Sequence, residues 1–192
     1  MKLSRNDLPK LIGLAGTFAG GKDTLAQYLV REFGYTHVST GDMVREIARQ
    51  KYGSIERPIL AKTADELRHE KGAGVLVQEA IARHAETDKL IVSGIRSLGE
   101  VKTLRDHHGV LVFVDADPKI RYERMISRQR DSETKLIFAE FLANEQKELH
   151  SGDSDADFNI AKIRDTADII LDNSSSENEL FAQATGKLAR YN

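Results

Sequence analysis

A glycine-rich segment at residues 16–24 has the residue types needed to hold a chain of phosphates. Its sequence, GTFAGGKDT, follows a short apolar run and precedes apolar residues at helical spacing, so we expect a strand, a loop and a helix. Glycines let backbone N–H groups turn inward around phosphate oxygens, and the N-terminus of the helix adds positive potential. Lys22 supplies a full positive charge, and the Thr24 hydroxyl can bind Mg²⁺. The segment therefore predicts a loop that binds the triphosphate of ATP together with Mg²⁺.

One position departs from the pattern G-x-x-x-x-G-K-[ST], because Asp23 stands where a hydroxyl residue is usual and Thr24 follows it. We expect the Asp23 side chain to face away from the anion or to contact water bound to the metal. The alternative interpretation is a glycine-rich turn that contains a lysine by chance. The residues predicted to bind the nucleotide here are Gly16, Ala19, Gly20, Gly21, Lys22, Asp23 and Thr24, and Thr24 is also the predicted metal ligand.

A second segment, VSTGDMVR at residues 38–45, follows the next short strand. It predicts a turn into a helix in which Thr40 or Asp42 is the N-cap and Arg45 lies on the first turns. Ligands of parallel sheets bind at the carboxyl ends of the strands. Because Arg45 is expected at that edge, it is also a candidate for binding an anionic substrate group.

A third candidate is the row of arginines at residues 121–130 on a predicted helix. Spacings of three and four residues place Arg121, Arg124 and Arg128 on one helical face, and Arg130 follows near the helix end. Positioned cations stabilise the charge that spreads over oxygen atoms during phosphoryl transfer. A solvated face with Arg–Glu pairs is the alternative interpretation.

Together these segments resemble the P-loop nucleoside monophosphate kinases. Gly-Lys-x-Thr at residues 21–24 is similar to the loop of adenylate kinase, and Gly-Lys-Asp-Thr itself resembles some deoxynucleoside monophosphate kinases. Residues 38–45 resemble the adenylate kinase segment that receives the acceptor nucleotide. The resemblance implies ATP and Mg²⁺ on the donor side. It also implies that Thr40 contacts the acceptor base or sugar and that Arg45 contacts its phosphate.

The resemblance extends to LIVSGIRS at residues 90–97. Arg96 stands where such kinases carry an arginine that binds the acceptor phosphate, and a planar guanidinium can hold a phosphate through two hydrogen bonds. Ser93 replaces the usual aspartate, so the carboxylate that contacts metal-bound water in the family is missing there. Asp42 and Asp115 are the candidates to replace it, although Asp115 could instead begin a turn.

The resemblance also implies roles farther along the chain. Related kinases clamp the transferring phosphoryl group with arginines near a lid, and Arg128 is our first candidate for that role. Residues 167–174 resemble the closing strand and loop of dephospho-coenzyme A kinases, which implies that Asn173 lies beside the ATP adenine. Arg68 is a further phosphate ligand by position only. The predicted catalytic residues are Lys22, Arg96 and Arg128. The predicted substrate-binding residues are Thr40, Asp42, Arg45, Arg68 and Arg96.

Short apolar runs alternate with helical patterns along the chain, at residues 11–15, 37–39, 90–93, 110–115 and 169–171. Continuous apolar runs of this length suit strands buried on both faces. They predict one α/β domain over residues 1–192 with a five-stranded parallel sheet, and the resemblance implies the three-layer α/β/α fold of the P-loop NTPases. We expect a helical acceptor-binding insert at about residues 40–88, broken at residues 72–74, and a short helical lid at about residues 118–162. Ordinary amphipathic cover for the sheet is the alternative interpretation.

Composition narrows the functional classes. The formal net charge is only −2, with 40 % apolar and 30 % charged residues, which disfavours a general nucleic-acid or membrane-surface binder. The absence of cysteine and of a long apolar segment favours a cytoplasmic protein that is neither exported nor membrane-spanning. We expect nucleotide substrates as partners and a monomer or weak dimer. Asp153, Asp155 and Asp157 predict a flexible acidic loop, since they lack the other residues of a calcium loop.

Three functions fit these observations. The first is transfer of phosphate from ATP to a nucleoside or deoxynucleoside monophosphate, an acceptor that needs no strong base. The second is dephospho-coenzyme A kinase, whose hydroxyl acceptor benefits from a carboxylate base. That family has aspartate where this chain has Thr40, although Asp42 keeps the alternative open. The third is a regulatory P-loop ATPase that uses water and no small acceptor.

Overall fold

A computed structural model describes residues 7–128, 136–149, 152 and 154–191. The strands are β1 (Leu11–Gly16), β2 (Thr36–Ser39), β3 (Leu90–Ser93), β4 (Val110–Asp115) and β5 (Ile169–Asp172). The helices are α1 (Lys22–Phe33), α2 (Thr40–Tyr52), α3 (Arg57–Lys71), α4 (Val75–Arg83), α5 (Leu98–Asp106), α6 (Pro118–Ser127), α7 (Phe138–Leu149), α8 (Ile160–Asp165) and α9 (Glu177–Leu188). Every predicted strand is present, with ends that differ by at most one residue.

The strands form one parallel sheet in the order β2-β3-β1-β4-β5. Strand β1 is central, and Gly13 pairs with Val92 on one side and Leu111 on the other. The chain moves from β1 to one side of the sheet and, after β3, to the other side. Such a change of direction opens a crevice at the carboxyl ends of the strands. The predicted five-stranded parallel α/β fold is confirmed.

Apolar side chains cover both faces of the sheet. Helices α1 and α9 cover one face, and the buried residues there include Ile12, Leu14, Leu25, Leu29 and Leu180. Helices α4, α5 and α8 cover the other face, with buried Val77, Val92, Leu104, Phe113 and Ile163. The result is the three-layer arrangement expected from strands that are apolar along their whole length. Within the part of the chain that the structure describes, no helix is long and apolar enough to cross a membrane.

Helices α2, α3 and α4 share a small apolar cluster of their own, which includes Leu67 and Leu76. Helix α3 ends before Gly72, whose φ is 100°, and α4 begins three residues later. Glycine adopts this left-handed backbone without a steric penalty. The predicted break at residues 72–74 is therefore confirmed.

The start of α2 differs from the prediction. The N-cap is Ser39 rather than Thr40 or Asp42, and the Ser39 hydroxyl accepts a hydrogen bond of 3.3 Å from the Asp42 N–H. Serine is among the preferred N-cap residues, and its place at the last residue of β2 lets the helix begin without a connecting turn. Thr40 and Asp42 are consequently first-turn residues whose side chains are available for other contacts.

Candidate phosphate-binding and acceptor site

The loop between β1 and α1 wraps closely around the end of β4. Gly16 has a φ of +143°, and a Cβ there would lie 2.1 Å from the Val114 carbonyl oxygen. Gly21, the N-cap of α1, has a φ of +107°, and its Cβ would lie 2.1 Å from Asn173 Nδ2. Glycine is required at both positions, because each combines a left-handed backbone with a close neighbour. Ala19 also has positive φ, at 57°. The loop is thus a tight turn leading into a 12-residue helix, as an anion-binding loop needs.

Lys22 is the first residue of α1 and bends back over this loop. Its Nζ donates to the carbonyl oxygens of Gly16 at 3.0 Å and Thr17 at 2.6 Å. The ammonium group therefore lies against the loop, where it can reach a bound phosphate chain. Two residues later Thr24 is partly buried on the first turn, whereas Asp23 is exposed.

Asp115, at the end of β4, supports the loop from below. Its Oδ1 accepts hydrogen bonds from the Thr17 hydroxyl at 2.8 Å and from the Ala116 N–H at 2.9 Å. Guanidinium groups of Arg121 and Arg164 approach the same carboxylate at 3.7 and 3.9 Å. Asp115 was one of two candidates to replace the aspartate that is missing at position 93. In the structure its carboxylate holds the loop against the end of β4.

Asn173 joins the loop to the end of β5. Its side-chain Nδ2 donates to the Gly20 carbonyl at 2.9 Å. The main-chain carbonyl of Asn173 accepts a hydrogen bond from Arg124 Nη2 at 2.8 Å. Among the described residues, three buried side-chain atoms have no hydrogen-bond partner: Arg68 Nε, and, beside the loop, Arg124 Nη1 and Asn173 Oδ1. A buried polar atom left unpaired costs about 1–3 kcal/mol. One unpaired donor and one unpaired acceptor beside the loop fit a nucleotide, which carries both kinds of group.

Arg121 ties α7 to this loop. Its side chain is only 4 % exposed, and it donates to the Ala116 carbonyl through Nε at 2.7 Å and to the Phe18 carbonyl at 3.4 Å. The two Nη atoms bind the Glu145 carboxylate, with Nη2 to Oε2 at 3.0 Å. The guanidinium thus joins the phosphate loop, the end of β4 and α7 in one buried contact. The spacing of the arginines predicted that Arg121 lies on one face of α6, but its partner Glu145 lies 24 residues later and stands in no motif.

An aromatic cluster formed by Phe18, Tyr122, Phe138 and Phe141 reinforces the same junction. Phe18 of the loop lies 6.3 Å from the Phe141 ring of α7, and Tyr122 of α6 meets Phe138 and Phe141 edge-on at 5.3 and 5.7 Å. Offset and edge-to-face pairs contribute about 0.5–1.5 kcal/mol each beyond area burial. In this structure the helical region expected to act as a lid is packed onto the loop.

The ends of β2 and β3 meet beside the loop. The Thr40 hydroxyl donates to the Gly94 carbonyl at 2.9 Å, and Thr40 is only 4 % exposed. His37 Nε2 and Ser93 Oγ lie 2.8 Å apart in the position where the expected carboxylate is missing. Burial lowers the pKa of His37 below its ordinary value of 6.5, against the opposing charges of Asp23 and Asp42. Thr40 thus joins the two strand ends, which differs from the open substrate contact that the resemblance implied.

Arg45 and Asp42 lie on the exposed first turns of α2. Arg45 Nη1 binds Asp42 Oδ1 at 2.6 Å, with side chains 46 % and 73 % exposed. An exposed pair of this kind contributes about 0–1 kcal/mol, so an incoming phosphate can compete with the carboxylate. Asp42 and Arg45, two of the five predicted substrate-binding residues, therefore lie just after the carboxyl end of β2 and contact each other.

Arg96 and Arg68 have different environments. Arg96 is exposed on the loop after β3. Arg68 has a side chain only 6 % exposed and pairs with the fully buried Glu100 at 3.2 Å. The prediction of Arg68 as a phosphate ligand is therefore corrected, because its charge is already balanced inside the protein.

Arg128 is exposed at the C-terminal end of α6. It adjoins residues 129–135, which include Arg130 and lie outside the described residues. Asp153 also lies outside them. Its role as a phosphoryl clamp remains a prediction. Arg121, two turns earlier, contacts the loop, and Arg124, one turn earlier, contacts its neighbour Asn173.

An open groove of about 300 Å³ lies between β2, the start of α2 and the end of α4. It is lined by His37, Val38, Ser39, Asp42, Met43, Glu46, Arg83 and His84. Asp42 belongs both to this groove and to the pair with Arg45. The groove therefore opens beside the first turns of α2.

The side chains fit a magnesium ion that arrives with a nucleotide. Over the described ranges, no group of three or more His, Asp or Glu side chains could hold a metal ion. Mg²⁺ usually keeps several waters and binds through one or two protein ligands plus substrate phosphates. Thr24 is the candidate ligand, and Ser93 stands in place of the aspartate that the resemblance implies. The described side chains therefore fit a magnesium ion bound mainly by nucleotide phosphates.

The sequence matches one family model and several related proteins. Residues 12–151 match the family model described as AAA domain. A UPF0200 protein of Pyrobaculum aerophilum is 32 % identical over 180 residues, covering 93 % of this chain and 95 % of the relative. A UPF0200 protein of Hyperthermus butylicus is 31 % identical over 183 residues, covering 94 % of each chain.

Solved structures show the same fold at low sequence identity. TT1252 from Thermus thermophilus is 22 % identical with a TM-score of 0.59, covering 93 % of this chain and 95 % of that one. The shikimate kinase of Bacteroides thetaiotaomicron is 17 % identical with a TM-score of 0.56, covering 94 % of each chain. The gluconokinase of Sinorhizobium meliloti is 16 % identical with a TM-score of 0.55, covering 95 % and 93 %. The chain therefore belongs to the AAA domain family and to the UPF0200 proteins, with a P-loop kinase-like fold.

Proposed function

We propose that the protein is an ATP-dependent phosphotransferase whose acceptor is a nucleoside or deoxynucleoside monophosphate. One observation carries the proposal. The glycine-rich loop between β1 and α1, which contains Lys22, lies at the same edge of the sheet as the ends of β2 and β3, and these strands lead to Arg45 and Arg96. The Gly94 N–H donates to the Leu14 carbonyl at 3.1 Å, so the segment after β3 begins next to β1. A triphosphate bound in the loop and a phosphate bound by the arginines would be neighbours.

The residues of the loop would bind and orient the donor. Backbone N–H groups and the N-terminus of α1 would hold the β- and γ-phosphates, and Lys22 would exchange its carbonyl partners for phosphate oxygens. Thr24 would bind Mg²⁺, which supplies charge neutralisation at the phosphates when bound. Arg124 Nη1 and Asn173 Oδ1 would gain the partners they lack. Catalysis would come from positioning and electrostatic stabilisation, without a covalent enzyme intermediate.

Arg45 and Arg96 would hold the acceptor phosphate. The planar guanidinium of each can form paired hydrogen bonds with phosphate oxygens. A phosphate acceptor is already nucleophilic and needs no carboxylate base. Dephospho-coenzyme A kinases have aspartate where this chain has Thr40, so the absence of that carboxylate favours a monophosphate over a hydroxyl as acceptor.

A second candidate is transfer to a hydroxyl, as in dephospho-coenzyme A kinases. The observation that favours it is Asp42, whose side chain is 73 % exposed at the acceptor edge and could serve as general base. Two structures with this fold are a shikimate kinase and a gluconokinase by name. A regulatory ATPase is the third possibility, and it would release ADP at the same rate with and without any acceptor.

A coupled assay of ADP release tests the proposal. The purified protein is incubated with ATP and Mg²⁺ and with each of AMP, GMP, CMP, UMP, dTMP, shikimate, gluconate and dephospho-coenzyme A. We expect one or more monophosphates to stimulate ADP release, and Lys22→Ala to abolish it. Stimulation only by a hydroxyl acceptor would replace the proposal by the second candidate, and ADP release independent of every acceptor would favour the regulatory ATPase.

Arginine variants test the acceptor edge. Arg45→Ala and Arg96→Ala should raise the KM for the monophosphate by about tenfold or more, since a charge-assisted hydrogen bond contributes about 1.5–3 kcal/mol. The KM for ATP should change little. Arg49→Ala is the matched control, because Arg49 is exposed one turn later on the same helix. Loss of ATP binding in the Arg45 and Arg96 variants would contradict the assignment.

A further inference from the structure

Residues 154–159, between α7 and α8, dock onto the loop that carries Arg96. The Gly99 N–H donates to the Asp155 carbonyl at 2.9 Å, and the Asn159 N–H donates to the Arg96 carbonyl at 3.0 Å. Within this segment the Ser154 N–H donates to Asp157 Oδ2 at 2.9 Å. The predicted flexible acidic loop is therefore tied to the acceptor side over its described residues.

The backbone of Arg96 is fixed at both of its polar groups. Its N–H donates to Glu100 Oε2 at 2.7 Å, and its carbonyl accepts from Asn159. Glu100 itself is fully buried and forms a capping box with Ser97 at the start of α5. The base of the Arg96 side chain is thus held by a rigid helix start on one side and by residues 154–159 on the other.

The Arg96 side chain is held by an aromatic ring. Its guanidinium carbon lies 5.4 Å from the centroid of the Phe158 ring. In the described part of the chain no carboxylate pairs with this guanidinium, so the ring is the contact that directs its charge. A guanidinium over an aromatic face keeps its outward N–H groups available for hydrogen bonds.

Arg68 approaches the same ring, at 5.0 Å from the centroid. Its charge is balanced by Glu100, whose Oε1 lies 3.2 Å away. Of the guanidinium groups that the structure describes near Phe158, that of Arg68 is neutralised inside the protein and that of Arg96 is not. The second, Arg96, remains as the positive group offered to a ligand.

We propose that Phe158 is a positioning residue that holds Arg96 in the orientation needed to bind the phosphate of the acceptor. The inference rests on the proposed function and deepens it. Residues 154–159 then form a fixed wall of the acceptor site, although they fall within the region 118–162 expected to act as a lid. The ring binds no substrate itself, and its effect on acceptor affinity passes through the Arg96 guanidinium.

Kinetics test this proposal with Phe158→Leu, which keeps apolar bulk but removes the aromatic face. With the best acceptor among AMP, GMP, CMP, UMP and dTMP, we expect the KM for that acceptor to rise about two- to fivefold, the range of an exposed cation–π contact. The KM for ATP should stay unchanged, and Phe158→Tyr should restore the wild-type acceptor KM. In an Arg96→Ala background, Phe158→Leu should have no further effect. Equal acceptor KM values for wild type and Phe158→Leu, or an equal effect in both backgrounds, would overturn the proposal.

A second readout does not require turnover. The Arg96 Nε–H resonance is assigned by comparison with Arg96→Lys and followed by NMR while inorganic phosphate is added. We expect a ring-current shift in the wild type that Phe158→Leu removes and Phe158→Tyr retains, and weaker phosphate binding in Phe158→Leu. An Arg96 resonance that Phe158→Leu leaves unchanged would overturn the positioning role even if the acceptor screen succeeds. A protein that shows the shift but phosphorylates no monophosphate would retain the positioning contact and lose the proposed function.

Discussion

Glu145→Ala should destabilise the protein by about 3 kcal/mol. The substitution leaves the Arg121 guanidinium, 4 % exposed, without its paired carboxylate. Breaking a buried ion pair from one side commonly costs about 3–5 kcal/mol. The lower end applies here, because the Ala116 carbonyl at 2.7 Å and the Asp115 carboxylate at 3.7 Å remain as partners. For a chain of this size, such a loss corresponds to a decrease in Tm of about 6–12 °C.

Thermal and urea unfolding followed by circular dichroism measure this effect. Gln146→Ala is the matched control, because Gln146 is the next residue of α7 and is exposed. Its free energy of unfolding should change by about 0.5 kcal/mol or less. The double variant Arg121→Met with Glu145→Leu should recover most of the lost stability, since an apolar pair of similar volume can replace a buried ion pair. A Glu145→Ala variant as stable as wild type, or a double variant no better than Glu145→Ala, would refute the reasoning.

Three further predictions concern the loop and its surroundings. Gly16→Ala should abolish ATP binding in a calorimetric titration and lower the Tm, because its Cβ would lie 2.1 Å from the Val114 carbonyl oxygen at a φ of +143°. Thr17→Val should cost about 1 kcal/mol in urea unfolding and weaken ATP binding, because it removes the 2.8 Å hydrogen bond to Asp115. Burial lowers the pKa of His37 below 6.5 in the folded protein. As the pH drops below 6.5, the unfolded chain therefore binds a proton at His37 more readily than the folded protein does, and the free energy of unfolding falls. Wild type should therefore lose more stability than His37→Gln between about pH 7.5 and about pH 5.5 in urea titrations, and equal losses would contradict this.

The strands and the phosphate loop were predictable because local composition determines them. Runs such as LIVS at residues 90–93 are apolar at every position, which only a strand covered on both faces can bury. Gly16 and Gly21 stand at the spacing of a phosphate loop and indicated it, although the neighbours that also require glycine there, Val114 and Asn173, lie far along the chain. The N-cap of α2 was assigned one residue late or more, because Ser39, Thr40 and Asp42 are all residues that favour this position.

The contacts that organise the site could not be predicted because they join distant residues. Arg121 and Glu145 are 24 positions apart, and Glu145 stands in no motif. The arginine row on α6 was visible, but which member is buried depends on how α7 packs. Phe158 gave no signal beyond being an aromatic residue in an acidic loop. Arg68 was misassigned because its charge partner, Glu100, lies 32 residues later and is buried only in the folded chain.

Titration calorimetry of ATP with Mg²⁺ measures whether the loop between β1 and α1 binds a triphosphate, and the proposed function rests on that binding. The wild-type protein should bind one equivalent of ATP. Lys22→Ala should weaken that affinity by about tenfold or more, because a contact with a charged group contributes about 1.5–3 kcal/mol. No measurable binding by the wild-type protein, or the same affinity in Lys22→Ala, would show that this loop is not a nucleotide site.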